Sequence, residues 1–203
     1  MPADGSGLGA ILLAAGSSTR LGQPKQLLRW QGKTLLRNAV DVTLSTGASP
    51  VVVVLGSRAE EMMPEINGLS VQTVVNPDWD KGMGSSLQAG LLRLEEITVP
   101  ESVLVLLSDQ PLVTASHLHA IIEASRVEQR LAVASEYAEG VLGPPCLFTR
   151  PLFAKLKALS GTQGARALLG TLPPDQLSRV SFPDGLLDID TMADWERLQK
   201  RAL

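Results

Sequence analysis

Arg20 and Lys25 stand five residues apart in the stretch "LLAAGSSTRLGQPKQ" (residues 12–26), directly after an apolar run. Their neighbours Ala14, Ala15, Gly16, Ser17, Ser18 and Gly22 are all small. In such a loop consecutive backbone N–H groups can face an anion, and Gly16 and Gly22 permit its close approach. Arginine forks onto phosphate oxygens, while lysine acts as a mobile point charge. The chemistry this implies is polyphosphate binding. A P-loop is not what is written here: G-x-x-x-x-G-K-[ST] is absent, and the "GSGLG" at residues 5–9 precedes the apolar run. On residues alone, an ordinary solvent loop fits as well.

Carboxylates form the second group. Asp109 follows an apolar run in "LLSDQPLV", and Pro111 stops that run from continuing. A carboxylate so placed can hold Mg²⁺ together with water and substrate phosphates, or can simply cap a turn. In "LLDIDT", Asp188 and Asp190 alternate, which in an extended segment points both to one side. One of them meeting Asp109 would complete a metal site. A third group, "NPDWDKGMGSSL", joins a turn to two glycines and two serines ahead of a helix, a pattern suited to reading a nucleobase edge or to capping that helix.

These groups need elements to position them. Apolar runs at 10–13, 51–55, 71–75, 103–107 and 131–134 read as strands covered on both faces. Between them, 35–45, 85–96 and 116–129 read as helices, with Leu87, Leu91 and Leu94 on one stripe and Thr114 or Ser116 as a cap. The alternation predicts a single α/β/α three-layer domain over 1–203, Rossmann-like, with a mostly parallel, mixed sheet. Beyond Gly140 prolines punctuate shorter elements, and a final helix starts near Thr191 or Asp194. Residues 1–7 read as a tail. In open α/β sheets ligands sit beyond the carboxyl ends of the strands. The residues following the first, third and fourth strands are the three groups above, so they should share one rim.

A net charge of −3 without any basic run leaves no footprint for nucleic acid. No apolar run reaches the length of a membrane span. Cys146 is the single cysteine, which suits a reducing compartment, and the expected location is the cytoplasm. Cys146 and the three tryptophans read as core residues, and His117 and His119 diverge on one helix.

At these motifs the sequence resembles the molybdenum cofactor cytidylyltransferase-like nucleotidyltransferases. The resemblance rests on "LLAAGSSTRLGQPKQLL", "NPDWDKGMGSSLQAGL", "SDQPLV", "GTQGARALL" and "DIDTMADW", in that order. It implies a GT-A-like fold and Mg²⁺-dependent transfer of a nucleotidyl group from a nucleoside triphosphate to a phosphate acceptor. By that resemblance Leu13, Ala14, Ala15 and Gly16 meet base and ribose, and Arg20 and Lys25 bind the triphosphate. Asn76, Gly82, Met83, Gly84, Ser85 and Ser86 help read the base, and Asp109, Asp190 and Asp188 hold Mg²⁺. Lys25, Arg20 and Asp109 are the catalytic set. The "LAAG" of residues 13–16 goes with CTP, where guanylyl-transferring relatives carry "LAGG". The implied acceptor is molybdopterin-type molybdenum cofactor, with a recipient molybdenum enzyme or its chaperone downstream. Two departures bear on the acceptor: Gly143-Pro144-Pro145 stands where the family has Gly-His-Pro, and Gly84 replaces a serine. Sugar 1-phosphate or guanylyl transfer, and a non-catalytic cofactor-binding chaperone, are the alternatives.

Overall fold

The computed structural model describes residues 7–201, so the expected tail lies outside the described residues except for Gly7. The uninterrupted apolar runs form the centre of one sheet. Leu8–Ala14 (β1) and Val51–Leu55 (β4) are buried at every position, and Ser102–Leu107 (β6) through its middle. Gln72–Val75 (β5) joins them in a parallel set ordered β5-β4-β1-β6. A two-residue hairpin, Arg29–Trp30 (β2) with Lys33–Thr34 (β3), stands apart from this sheet.

Three further strands extend it past β6: Ala132–Glu136 (β7), Leu142–Thr149 (β8) and Leu177–Ser181 (β9). The full order is β5-β4-β1-β6-β8-β7-β9, with β8 antiparallel to both β6 and β7. The sheet is therefore mixed and mostly parallel, as the alternation of elements predicts.

Strand residues alternate between two cores, as a period of two requires. Ile11, Leu13, Val52 and Val54 face one side, covered by Met83–Ile97 (α3), Phe153–Lys157 (α5) and Ala165–Leu169 (α6). Ala10, Leu12, Val53 and Leu55 face the other, covered by Leu35–Leu44 (α1), Ala59–Ile66 (α2) and Ala115–Glu128 (α4). The predicted stripe on α3 holds: Leu87, Leu91 and Leu94 are each 0% exposed. Each such burial contributes about 1.5–3 kcal/mol. Thr114 caps α4 by accepting from the His117 N–H. Thr191 and Asp194 form a reciprocal capping box at the start of Met192–Lys200 (α7).

Four local readings differ from the structure. The run at 71–75, expected to be covered on both faces, forms the edge strand β5, where Val75 is 48% exposed. Pro144 and Pro145 lie inside β8, where the pairing with β7 shifts register between Ala134 and Ser135. A ladder irregularity is where a strand tolerates residues lacking an N–H. Helix α2 was not predicted, because Pro64 within it interrupts the helical pattern. Residues 187–190 form no strand, so the two aspartates are not placed by strand alternation.

The topology fixes where a site can form. From β1 the chain builds outward through β4 and β5, then returns to β6 on the other side of β1. This reversal opens a crevice beyond the carboxyl ends of β1 and β6. Leu13 pairs with Leu107 there, and the Ser108 N–H donates to the Leu13 carbonyl.

Candidate active site

Beyond Ala14 the chain enters the small-residue loop, held by a residue that the sequence did not single out. Gln26 is 1% exposed, and its amide donates to the carbonyls of Ala14 (3.2 Å) and Gly16 (3.0 Å). The Ser18 hydroxyl donates to Gln26 Oε1 and accepts from the Lys25 N–H. Gly22 ends the following turn at φ 70°, a conformation that glycine adopts without penalty. The loop is thus cross-braced before any ligand arrives. The backbone of Arg20 lies in the turn Thr19–Leu21, while its side chain lies outside the described residues.

Lys25 and the carboxylates meet. Its Nζ sits 2.5 Å from Asp109 Oδ2 and 2.8 Å from Asp190 Oδ1. The side chains of Lys25 and Asp109 are 13% and 15% exposed, against 43% for Asp190. Burial works against the ammonium, but Asp109 and then Asp190 outweigh it and hold the lysine pKa above its ordinary value. Asp190 is brought in by packing: Leu187, Ile189, Trp195 and Leu198 cluster with Leu21, Leu28 and Trp30 of the loop and hairpin. The Ile189 N–H also donates to the Asp109 carbonyl.

The resemblance puts Lys25 on a triphosphate and the aspartates on Mg²⁺. Here the ammonium itself takes the cation's place between Asp109 and Asp190. Two carboxylate oxygens, Asp109 Oδ1 and Asp188 Oδ1, are buried without a hydrogen-bond partner among the described residues. Unpaired buried anionic oxygens are costly, and hard oxygen donors suit Mg²⁺ or Mn²⁺. Among the described residues no three acidic, His or Cys side chains form a closed metal cage. Mg²⁺ commonly takes one or two carboxylates and completes its shell with water and substrate phosphates. The donor set therefore fits a divalent cation that arrives with its nucleotide.

Asp188 carries the strain of this arrangement. Burial first, then the neighbouring Asp109 charge, raise its pKa to about 6 from 3.8. The folded state binds this proton more tightly than the unfolded chain does. Asp188 therefore destabilises the fold above about pH 6 and ceases to do so as pH falls towards 4. Asp188→Asn should stabilise the metal-free protein at pH 8 by up to about 2–3 kcal/mol, and by little near pH 4. Urea unfolding at the two pH values checks this; a variant no more stable at pH 8 would contradict it.

The cleft above these groups has a volume of about 340 Å³. Of the sequence-predicted residues, Leu13, Ala14, Ala15, Gly16, Lys25 and Asp109 line it, and so do Gly82, Met83 and Ser86. Trp79, read as partial core, also lines it while packing on the core beneath. Asn76, Gly84 and Ser85 are not on its wall. Asn76 is a buried knot whose amide donates to the hydroxyls of Ser85 (2.9 Å) and Ser86 (3.0 Å). Gly82 and Gly84 press against the backbone of residues 159–162, and a Cβ on Gly82 would run into the Gly161 carbonyl. These residues shape the cleft from behind.

A second, smaller cavity of about 210 Å³ adjoins the cleft and shares Met83 and Leu107 with it. Asp188, Tyr137, Thr162 and Arg166 line it. The sequence offered "GTQGARALL" as a motif but no reason to choose Arg166 within it. Elsewhere the plain readings hold: Cys146 is fully buried, His119 is exposed, and His117 bonds Ser135 Oγ at 2.8 Å.

The MobA-like NTP transferase domain model matches residues 10–179. Nicotine blue oxidoreductase of Paenarthrobacter nicotinovorans is 34% identical over 173 residues, covering 80% of this chain and 81% of that protein. Purine catabolism protein PucB of Bacillus subtilis is 29% identical, covering 94% and 95%. Among solved structures, Rv0371c of Mycobacterium tuberculosis superposes with a TM-score of 0.82 at 29% identity, covering 95% and 97%. A structure of that protein in complex with manganese gives 0.77 at 29% identity, covering 94% and 97%.

Proposed function

Because the chain belongs to the family of MobA-like NTP transferase domains, we propose that this nucleotidyltransferase carries CMP from CTP to molybdopterin-type molybdenum cofactor. The observation that carries the reading is the Lys25–Asp109–Asp190 cluster, of which Lys25 and Asp109 line a cleft walled by a braced, small-residue loop. Anionic phosphates need cations there, and Lys25 on the cleft wall supports that reading.

In the reaction a phosphate oxygen of the acceptor attacks the α-phosphorus of CTP. The bond from that phosphorus to the oxygen bridging to the β-phosphate breaks, and pyrophosphate leaves with the electron pair. The product is a pyrophosphate-linked cytosine dinucleotide. An acceptor phosphate is already anionic, so no strong base is required; positioning and charge neutralisation supply the rate. Leu13 to Gly16 present backbone to the nucleoside, and Ala15 beside Gly16 matches the pattern that goes with cytidine in the family resembled. As the triphosphate enters, the Lys25 ammonium moves from the carboxylates to the phosphates, joined by Arg20. Asp109, with either Asp190 or Asp188, would hold Mg²⁺, which supplies Lewis-acid charge neutralisation on the phosphate oxygens.

The neighbouring cavity receives the acceptor. Arg166 makes no ion pair among the described residues and lines that space beside Asp188. The loop after β1 lacks the G-x-G-x-x-G pattern of a dinucleotide-dependent oxidoreductase, which separates this reading from the chemistry that nicotine blue oxidoreductase is named for. We treat residues 1–203 as one nucleotidyltransferase domain. Among the described residues no helix is long and apolar enough to cross a membrane, and we place the enzyme in the cytoplasm. Its product passes to a recipient molybdenum enzyme or that enzyme's chaperone.

The reading is tested by Mg²⁺-dependent pyrophosphate release with molybdenum-loaded cofactor and each of CTP, GTP, UTP and ATP. CTP should dominate. Release with GTP alone would reverse the base assignment; release only with a sugar 1-phosphate as acceptor would overturn the acceptor.

A further inference from the structure

Tyr137 is 3% exposed, yet it forms a wall of the second cavity and joins four segments there. Its hydroxyl accepts from Gln110 Nε2 at 2.9 Å and donates to the Pro144 carbonyl. Gln110 directly follows Asp109 and also donates to the Gly185 carbonyl at 3.3 Å. The segment bearing Asp109 is thus tied, through Gln110 and Tyr137, to the turn that precedes Asp188. The ring is fixed as firmly as the hydroxyl. Gly143 and Gly185 leave it room, since a Cβ on either would collide with it, and Phe182 packs edge-on at 6.1 Å.

The guanidinium of Arg166 lies over the Tyr137 ring, 5.7 Å from its centroid. Arg166 is exposed and has no carboxylate partner among the described residues. A cation over an aromatic face is attracted by the ring quadrupole, by about 0.5–1 kcal/mol at exposed sites. A guanidinium held over the ring has less rotamer freedom left to lose, which lowers the ordering cost of binding. Its N–H groups can fork onto an anion.

We propose that Tyr137 is the positioning residue of the acceptor compartment: its immobilised ring holds Arg166 ready to grip a phosphate monoester beside Asp188. This rests on the nucleotidyl-transfer reading for its place in the reaction, but the binding claim stands on geometry alone. The compartment selects acceptors by their phosphate, and discrimination at that end depends on the ring.

The test uses 4-methylumbelliferyl phosphate, a fluorescent phosphate monoester, titrated against the full-length protein. Arg166→Ala should weaken binding about tenfold, and Tyr137→Leu by a similar factor. The double variant should lose no more than either single change, because the ring acts through the guanidinium. Tyr137→Phe keeps the ring and should bind within about threefold of wild type. Should Tyr137→Leu not fold, Arg166→Lys serves in its place: charge is kept, the planar fork is lost, and binding should fall about fivefold. Multiplying losses in the double variant, an Arg166→Lys variant that binds as well as wild type, or no probe binding by wild type would each overturn the proposal. A protein that meets these expectations yet transfers nothing to molybdenum cofactor keeps this compartment and loses only the acceptor named above.

Discussion

Lys25→Ala should lower turnover by about 10²–10³-fold, the scale of losing one preorganised charge partner for a developing anion. The ammonium is the cation that the structure places against both Asp109 and Asp190. Its removal has two consequences that can be separated. In the free enzyme it leaves Asp109, at 15% side-chain exposure, without its counter-charge. The variant should therefore unfold at a lower urea concentration, and added Mg²⁺ should recover part of that loss by supplying a replacement cation. In the reaction the triphosphate loses a charge that Mg²⁺ cannot replace from the same position, so turnover stays low even with saturating metal. Lys25→Arg should not restore it, because a rigid planar fork cannot reproduce an ammonium seated between two carboxylates. Wild-type turnover in a folded Lys25→Ala variant would remove the residue from the site.

Asp109→Asn should be the more severe change, costing about 10³-fold or more in turnover and removing the response to Mg²⁺. Asparagine keeps the volume, so the braces around Asp109, including the Ile189 N–H to its backbone carbonyl, remain. The charge is lost and one carboxylate oxygen becomes an amide nitrogen. With that goes the anionic character of the buried Oδ1, which has no partner among the described residues and best fits a metal bond. A comparison of turnover against Mg²⁺ concentration, in wild type and variant, reads the effect. Retained Mg²⁺-driven turnover would show that Asp109 is not the essential ligand.

Five of the seven strands were legible as nearly continuous apolar runs, and in β1, β4 and β6 those runs are buried on both faces; β8 and β9 carry no such run. The shared rim followed from that, since residues after β1 and β6 must emerge side by side at the reversal of strand order. Legibility stopped where position depends on tertiary contacts between distant segments. Gln26 looks like any loop glutamine until Ala14 and Gly16 present it with carbonyls. Asp188 and Asp190 looked equivalent by alternation, but residues 187–190 are irregular. Asp190 reaches Lys25, while Asp188 lines the second cavity. Asn76 and Gly84 read as base contacts because their motif is rich in polar and small residues; the structure uses them to hold a loop. Tyr137 carried no sequence signal and Arg166 only its place in "GTQGARALL"; 29 residues apart, they are joined by the fold.

The central claim is that the cleft transfers the α-phosphoryl end of CTP, with its nucleoside, to a phosphate acceptor. The most direct measurement incubates the enzyme, Mg²⁺ and molybdenum-loaded cofactor with CTP labelled with ³²P at either the α or the γ position. Nucleotidyl transfer predicts α-label on the cofactor and γ-label in pyrophosphate. Label on the cofactor from the γ position, or α-label remaining in CTP or CMP with folded enzyme and intact cofactor, would contradict it.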